Sequence, residues 1–333
     1  MRRDPRNVIE FAYKNGLSDQ DWVRGICELS RYLLPHGNCA LGYLYQVRER
    51  RVEVAQMNMS PARGDLRGFG VEESGSLEMG LPGEVIRALY EPRPRVQLGS
   101  KFTESGNSSD APLREMMQAF FGPQTADIVG VRAGGLDLRG LLLAFPLSPT
   151  QRLHWRTRRV VERIAAHLAA AHRLRDLDGS LESASLITSP AGRVLHIGAD
   201  REAQQRKHTL LEAIMRITEL RRRKSADAES AISAWQGLVE GHWSIVDHID
   251  RDGKRFILAR RNEPRDPSSR PIHSCEEQVL AYAALGYSSK SIAYELGLSP
   301  AAVALHLKRG LARLRLRNRQ ELVGLMSGAA PRD

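Results

Sequence analysis

The amino-acid sequence predicts a multidomain α+β protein, in which an α/β sandwich, a small α+β unit and an all-α unit of four helices follow one another. Its 333 residues are enough for two or three domains that each bury a core. Hydrophobic residues make up 42% and charged residues 26% of the chain, as in ordinary globular proteins. Helical and strand periodicities alternate up to about residue 262, and helical patterns dominate beyond it.

Residues 1–178 carry the pattern of the α/β sandwich. The segment DQDWVRGICELSRYLL places apolar residues at helical spacing, whereas CALGYLYQV and RVEVAQMNM alternate as a pair of strands does. LPGEVIRALY predicts a short helix. ADIVGVRAG and GLLLAFPL predict two further strands, and the second is apolar enough to be central in its sheet.

A long helix is predicted from Leu153 to Asp178. Its apolar residues recur every three or four positions and form one stripe, which consists of Val160, Ile164, Leu168, Ala171 and Leu174. Two interpretations of this stripe stay open. The helix either lies on the sheet of its own unit or joins two protomers as a two-stranded coiled coil.

Residues 179–264 predict a small α+β unit. ASLITSPAGRVLHIG is typical of a hairpin, and HWSIVDHIDRDGKRFILARR is typical of a second hairpin with Asp252-Gly253 at its turn. Between the hairpins, ADREAQQRKHTLLEAIMRITELRRRK and DAESAISAWQGLVEG predict two helices. The unit should therefore be one sheet with one face covered by helices.

Residues 265–333 comprise the end of a linker and four helices. The linker, NEPRDPSSRP at 262–271, places three prolines among polar residues. The expected helix N-caps are Ser274, Ser288, Ser299 and Asn318. Gly286 and Gly297 should end the first and second helices. Small Ala293 lets the third helix cross the second at about 8–10 Å, and Val303 fills the angle between them, which predicts a helix-turn-helix.

This last unit resembles the LuxR/GerE-type DNA-binding domain over about 50 residues. The matching positions are Glu276, Val279, Leu280, Gly286, Ser288, Lys290, Ile292, Ala293, Leu296, Ser299, Val303, His306, Leu314, Asn318, Arg319, Glu321, Leu322 and Val323. The resemblance implies that the third helix enters the major groove of DNA and that the fourth dimerises. The implied DNA-binding residues are Ser288, Ser289, Lys290, Ser299, Ala301, Ala304, Leu305, Lys308, Arg309 and Arg313.

The chain departs from the usual pattern of this family at four positions. Where Asn, Thr and Lys are usual, the chain has Ser289, Ala302 and Ala304, and Cys275 replaces an Arg. A lost Lys removes one contact to a phosphate or to guanine, so direct base readout is expected to be weaker. Phosphate binding is better provided for, because no acidic residue interrupts the cationic stretch from Lys308 to Arg319.

Residues 1–178 resemble a GAF domain in the order of their elements, and residues 180–262 are similar to a shortened PAS-type unit. These resemblances imply a sensor or pairing role, with a small-molecule ligand in the N-terminal domain and a homodimer as the working form. The formal net charge of +10 favours a polyanionic partner such as double-stranded DNA.

Other classes of protein find little support in the sequence. No apolar run reaches the roughly 20 residues that cross a membrane, and the N-terminus lacks the pattern of an export signal, so a cytoplasmic protein is expected. Three cysteines without a C-x-x-C pair indicate reduced thiols. No hydrolase, phosphate-loop, dinucleotide or zinc-protease motif occurs, so no catalysis, cofactor or metal is expected, and the His36 and Cys39 pair lacks further ligands.

Two alternatives remain at this point. The C-terminal helices could keep their fold but serve dimerisation or protein binding without sequence-specific DNA binding, as the missing Lys, Thr and Asn indicate. The N-terminal sandwich could carry an enzyme. The four tryptophans, Trp22, Trp155, Trp235 and Trp243, are expected in cores.

Overall fold

The computed structural model describes residues 4–34, 39–48, 51–61, 76–79, 90, 95–102, 118, 121–134, 139–148, 153–175, 184–198, 201–222, 243–249, 255–262, 275–313 and 316–326. These residues form a mixed α/β structure with two antiparallel sheets and helices. The linker predicted at 262–271, apart from Asn262, lies outside the described residues, as do the helix predicted in DAESAISAWQGLVEG, the Asp252-Gly253 turn and most of LPGEVIRALY.

The first sheet has six antiparallel strands in the order β3-β2-β1-β6-β5-β4. The strands are β1 (Ala40–Arg48), β2 (Arg51–Ser60), β3 (Ser76–Met79), β4 (Val96–Leu98), β5 (Asp127–Gly134) and β6 (Arg139–Leu147). β6 lies between β1 and β5, so the central position predicted from GLLLAFPL is confirmed. Its buried run from Gly140 to Phe145 explains why the sequence there does not alternate.

Three helices cover one face of this sheet: α1 (Arg6–Ala12), α2 (Asp19–Ser30) and α3 (Trp155–Arg175). Ser18 caps α2 by accepting a hydrogen bond from the backbone N–H of Asp21 at 3.1 Å. The stripe on α3 packs against the sheet, and Ile164 and Leu168 are fully buried there. Of the two interpretations of this helix, the structure therefore shows the one in which it lies on its own sheet.

The second sheet has four antiparallel strands in the order β8-β7-β10-β9. They are β7 (Leu186–Thr188), β8 (Val194–Ile197), β9 (Trp243–Ile249) and β10 (Arg255–Arg261), and the helices α4 (Arg201–Gln205) and α5 (Lys207–Arg222) belong to this part of the chain. Both predicted hairpins are confirmed. Gly192 turns the first with a φ of 82°, in the region that glycine adopts without steric cost.

One hydrophobic core joins the two sheets. Ile164 and Leu168 of α3 belong to the same cluster as Leu186 of β7 and Ile257 of β10. Helix α3 therefore contributes to both layers of the molecule, although the sequence indicates only its contact with the first sheet.

The remaining described helices are α6 (Cys275–Ala284), α7 (Ser289–Leu296), α8 (Pro300–Arg313) and α9 (Arg319–Met326). They surround a small core of their own, in which Val279, Ile292 and Val303 are fully buried. This separate core is what the predicted four-helix unit requires.

The expectation that the tryptophans lie in cores is right for Trp22 and Trp243, which are fully buried, and wrong for Trp155, which is 58% exposed. Trp155 is the first residue of α3, one turn before the stripe reaches the sheet. The guanidinium of Arg156 lies 5.3 Å from the centroid of the Trp155 ring, so the exposed indole has a cation–π contact. Trp235 lies outside the described residues.

Candidate nucleic-acid interface

The turn between α7 and α8 is fixed by local hydrogen bonds. Ser288 has an extended backbone and accepts a hydrogen bond from the N–H of Ser291 at 3.1 Å, so it caps α7. Gly297 ends α7 with φ 62° and ψ 28°, the left-handed conformation predicted for it. Ser299 accepts from the N–H of Ala302 at 3.1 Å and caps α8, with Pro300 in the first turn.

Close packing holds α7 and α8 crossed. Val303 and Ile292 are fully buried between the helices, and Ala293 is 6% exposed. The crossing of α8 on α6 depends on Gly310, where an added Cβ would lie 2.5 Å from Cδ1 of Leu280. The roles of Ala293 and Val303 are predictable from the sequence, whereas that of Gly310 is not.

Helix α9 is held by its own cap and by an arginine. The N–H of Glu321 donates to Oδ1 of Asn318 at 2.9 Å, and the N–H of Arg317 donates to Oε2 of Glu321 at 2.7 Å. The guanidinium of Arg319 donates to the carbonyl oxygens of Ala283 and Tyr287. Arg319 therefore ties α9 to the end of α6, and its place in a phosphate-binding stretch stays a prediction.

The side of α8 that faces away from the core is exposed to solvent. Leu305 is 47% exposed, and the exposed residues of α8 named in the sequence analysis are Ala301, Ala304, Leu305, Lys308 and Arg309. Arg313 is the last residue of α8, and its side chain lies outside the described residues. These five exposed residues are called the recognition surface below.

The predicted polar residues at the helix starts lie beside this surface. Ser288, Lys290 and Ser299 are exposed and Ser289 is half-buried. Ser288 and Ser299 accept backbone hydrogen bonds with their side-chain oxygens and so cap α7 and α8. Lys290 lies in the first turn of α7, and Lys308 lies in the second half of α8.

The opposite side of α7 docks against the first sheet through a buried ion pair. The guanidinium of Arg95, just before β4, donates to both carboxylate oxygens of Glu295, and the two side chains are 3% and 6% exposed. Burial alone would lower the pKa of Arg95, because it disfavours the charged guanidinium. The Glu295 carboxylate, through its charge and its hydrogen bonds together, outweighs burial and raises the pKa of Arg95 above its usual range.

A second contact of α7 passes through His167 of α3. The hydroxyl of Tyr294 lies 2.8 Å from Nε2 of His167, and the hydroxyl of Tyr13 lies 3.3 Å from Nδ1. His167 is 1% exposed, so this chain of three side chains runs from α1 through α3 to α7 inside the protein. Neither these contacts nor the ion pair is predicted from the sequence.

The face of the first sheet that α1, α2 and α3 do not cover carries a group of tyrosines. The hydroxyls of Tyr43 and Tyr90 lie 2.7 Å apart, and the ring centroids of Tyr45 and Tyr90 lie 4.9 Å apart. Burial raises the pKa of Tyr43 to about 12, and its hydrogen bond with Tyr90 opposes this rise. These tyrosines belong to a second hydrophobic cluster, separate from the core that α3 joins.

Metal-holding clusters and membrane-spanning helices are not found among the described residues. No group of three or more His, Cys, Asp or Glu side chains in this part of the chain could hold a metal ion. Within the same residues, no helix is long and apolar enough to cross a membrane.

Helices α7 and α8 cross, α8 has an exposed side, and α6 and α9 flank the pair. This arrangement defines residues 275–326 as a helix-turn-helix domain. Residues 274–326 match the family model GerE, described as bacterial regulatory proteins of the luxR family. The chain therefore carries a LuxR-family helix-turn-helix domain, as its resemblance predicts.

Two further comparisons add little. No curated protein matches the chain significantly. Among solved structures, the chain is similar to SdiA from Escherichia coli, with 12% identity over 98% of each chain and a TM-score of 0.27. At that score the likeness carries no argument about this protein.

Proposed function

We propose that this protein is a homodimeric LuxR-type transcriptional regulator that binds double-stranded DNA through α8. The observation that supports this most directly is the exposure of the recognition surface while α7 is docked on the first sheet. A major groove about 12 Å wide admits an α-helix, and the free side of α8 is the side that would enter it. The LuxR-family match of residues 274–326 supports the same function.

The proposed DNA contacts are of two kinds, to phosphates and to base edges. Lys290, Lys308, Arg309 and Arg313 hold phosphates, together with the helix starts at Ser288, Ser289 and Ser299. Ala301, Ala304 and Leu305 face the base edges, where they can meet thymine methyl groups but cannot read a hydrogen-bond pattern. Affinity should therefore come mainly from the backbone, with modest base selectivity in each subunit.

The remaining units supply input and pairing in this proposal. Residues 1–178 act as a GAF-like sensor and dimerisation domain, residues 179–264 as a small PAS-like unit, and residues 265–333 as the linker and DNA-binding domain. The buried tyrosines on the face of the first sheet opposite α1, α2 and α3 offer hydroxyls and aromatic rings to a small molecule. The regulator acts in the cytoplasm, where its DNA is, and performs no catalysis.

Titration of a labelled duplex with the full-length protein tests the function. Lys290→Ala with Lys308→Ala should weaken binding to every sequence and reduce the slope of log affinity against log salt by about 0.9 for each lost contact. Arg193→Ala with Arg216→Ala removes the same charge from exposed positions elsewhere and is the matched control. Equal slopes for the two double variants would contradict the assigned phosphate contacts.

The exposed Leu305 favours one other function. A leucine that is 47% exposed beside Ala301 and Ala304 is also what a protein-binding helix presents. In that case the full-length protein would fail to bind duplex at low and moderate salt, and Leu305→Glu would instead weaken self-association in analytical ultracentrifugation.

A further inference from the structure

A cationic cleft lies between α3 and the start of α7. Its volume is about 330 Å³, and it is lined by residues of both the first unit and the helix-turn-helix domain. Arg158, Arg159 and Arg163 project from α3 on one side, and Lys290 and Ser291 of α7 lie on the other. The interdomain cleft, as this space is called below, includes Ser288 and Lys290 but none of the five residues of the recognition surface and none of the tyrosines of the first sheet.

The lining of the cleft has an excess of positive charge. Among the described residues that line it are four arginines, one lysine and two glutamates, which leaves three positive charges in excess. Both glutamates already contact an arginine, since Glu162 accepts from Nε of Arg158 at 3.0 Å and Glu295 binds Arg95. Cations gathered in a concave space raise the local concentration of anions.

The groups in the cleft are placed for an anion with several oxygen atoms. Arg158 is held in position by Glu162 and by the carbonyl oxygen of Val96, to which Nη2 donates at 3.0 Å, yet its side chain is 46% exposed. Arg159 and Lys290 are exposed as well. Guanidinium groups bind phosphate oxygens in pairs, and an ammonium group adds a point charge.

The geometry points to a small phosphorylated molecule, and we infer that the interdomain cleft binds the di- or triphosphate portion of such a ligand. A volume of 330 Å³ lies within the range of small-molecule sites, which often form between domains. Three excess positive charges match a polyphosphate better than a single carboxylate. The rings of Tyr287 and Tyr294, which also line the cleft, can contact the organic part of the molecule.

Calorimetric titration of the full-length protein with inorganic pyrophosphate tests the inference. One saturable site is expected. Arg159→Ala with Lys290→Ala should weaken it by about tenfold or more, since each removes a charge-assisted hydrogen bond. Arg193→Ala with Arg216→Ala should leave binding within about twofold, because both residues lie outside the cleft.

A gain of affinity guards against variants that merely misfold. Glu162→Gln removes a carboxylate from the lining, so it should tighten pyrophosphate binding by about threefold, whereas Glu212→Gln on α5 should not. Equal binding by all variants would mean adventitious attraction to a basic protein and would overturn the inference. The absence of saturable pyrophosphate binding would also overturn the inference. In one such case the cleft variants would weaken only duplex binding, and the cleft would then serve the DNA backbone.

Discussion

At the scale of single residues, the buried ion pair between Arg95 and Glu295 joins the helix-turn-helix domain to the first sheet. Both side chains are almost completely buried, and they come from parts of the chain 200 residues apart. A buried charge without its partner is far more costly than a buried pair, because desolvation is no longer offset.

Glu295→Gln should therefore destabilise the docked protein by about 3–5 kcal/mol, because it leaves the guanidinium of Arg95 buried without a counter-charge. Hydrogen exchange should show lost protection in α7 and around β4. Replacing both residues by Met and Leu of similar size should restore most of the protection, since such replacements are often neutral. Unchanged exchange in Glu295→Gln would show that the pair does not hold the docked arrangement.

Single residues also show which contacts could be predicted from the sequence and which could not. The caps Ser288, Ser299 and Asn318 were identified correctly because capping depends on residues three positions away. The partner of Glu295 could not be identified, because a single carboxylate on the inner side of a helix does not specify a distant arginine. The exposure of Trp155 was missed because residue type gives only an average burial.

At the scale of elements, α8 combines a well-formed helix with few groups that can contact DNA. Its caps and its packing on α6 and α7 were largely predictable, because apolar periodicity and small residues at crossings are local patterns. The requirement for Gly310 was not, since it depends on how closely Leu280 approaches from α6.

Ala304→Lys should strengthen duplex binding by the full-length protein by a few fold and steepen its salt dependence by about 0.9, as one added phosphate contact does. Lysine is nearly as good a helix former as alanine, so α8 should keep its stability. Met215→Lys, at a position of α5 that is 48% exposed, adds the same charge far from the recognition surface. If both variants gain equally, net charge rather than the face of α8 determines binding.

At the scale of the whole molecule, α3 connects the parts. Its buried stripe belongs to the core that both sheets share, His167 on the same helix contacts α7, and its exposed arginines line the interdomain cleft. The order of the elements could be predicted from periodicity. Their arrangement around α3 could not, because the stripe specifies an apolar partner without saying which one.

This arrangement leads to a prediction that depends on both proposals. Lys290 lines the cleft and is also assigned to the DNA backbone, so a polyphosphate in the cleft should compete with duplex for it. Saturating pyrophosphate should weaken duplex binding by about tenfold, the value of one charge-assisted contact. Sodium sulfate at equal ionic strength, the control for screening, should have a smaller effect.

The variants separate the two proposals. Arg159→Ala removes a cleft residue that is not assigned to DNA, so it should abolish the specific effect of pyrophosphate while duplex binding in its absence stays within about twofold. If wild-type protein loses no more affinity in pyrophosphate than in sulfate, the cleft and the DNA surface are not coupled through Lys290. If duplex binding is absent from the start, DNA binding fails, and the calorimetric result alone decides whether the cleft binds phosphate.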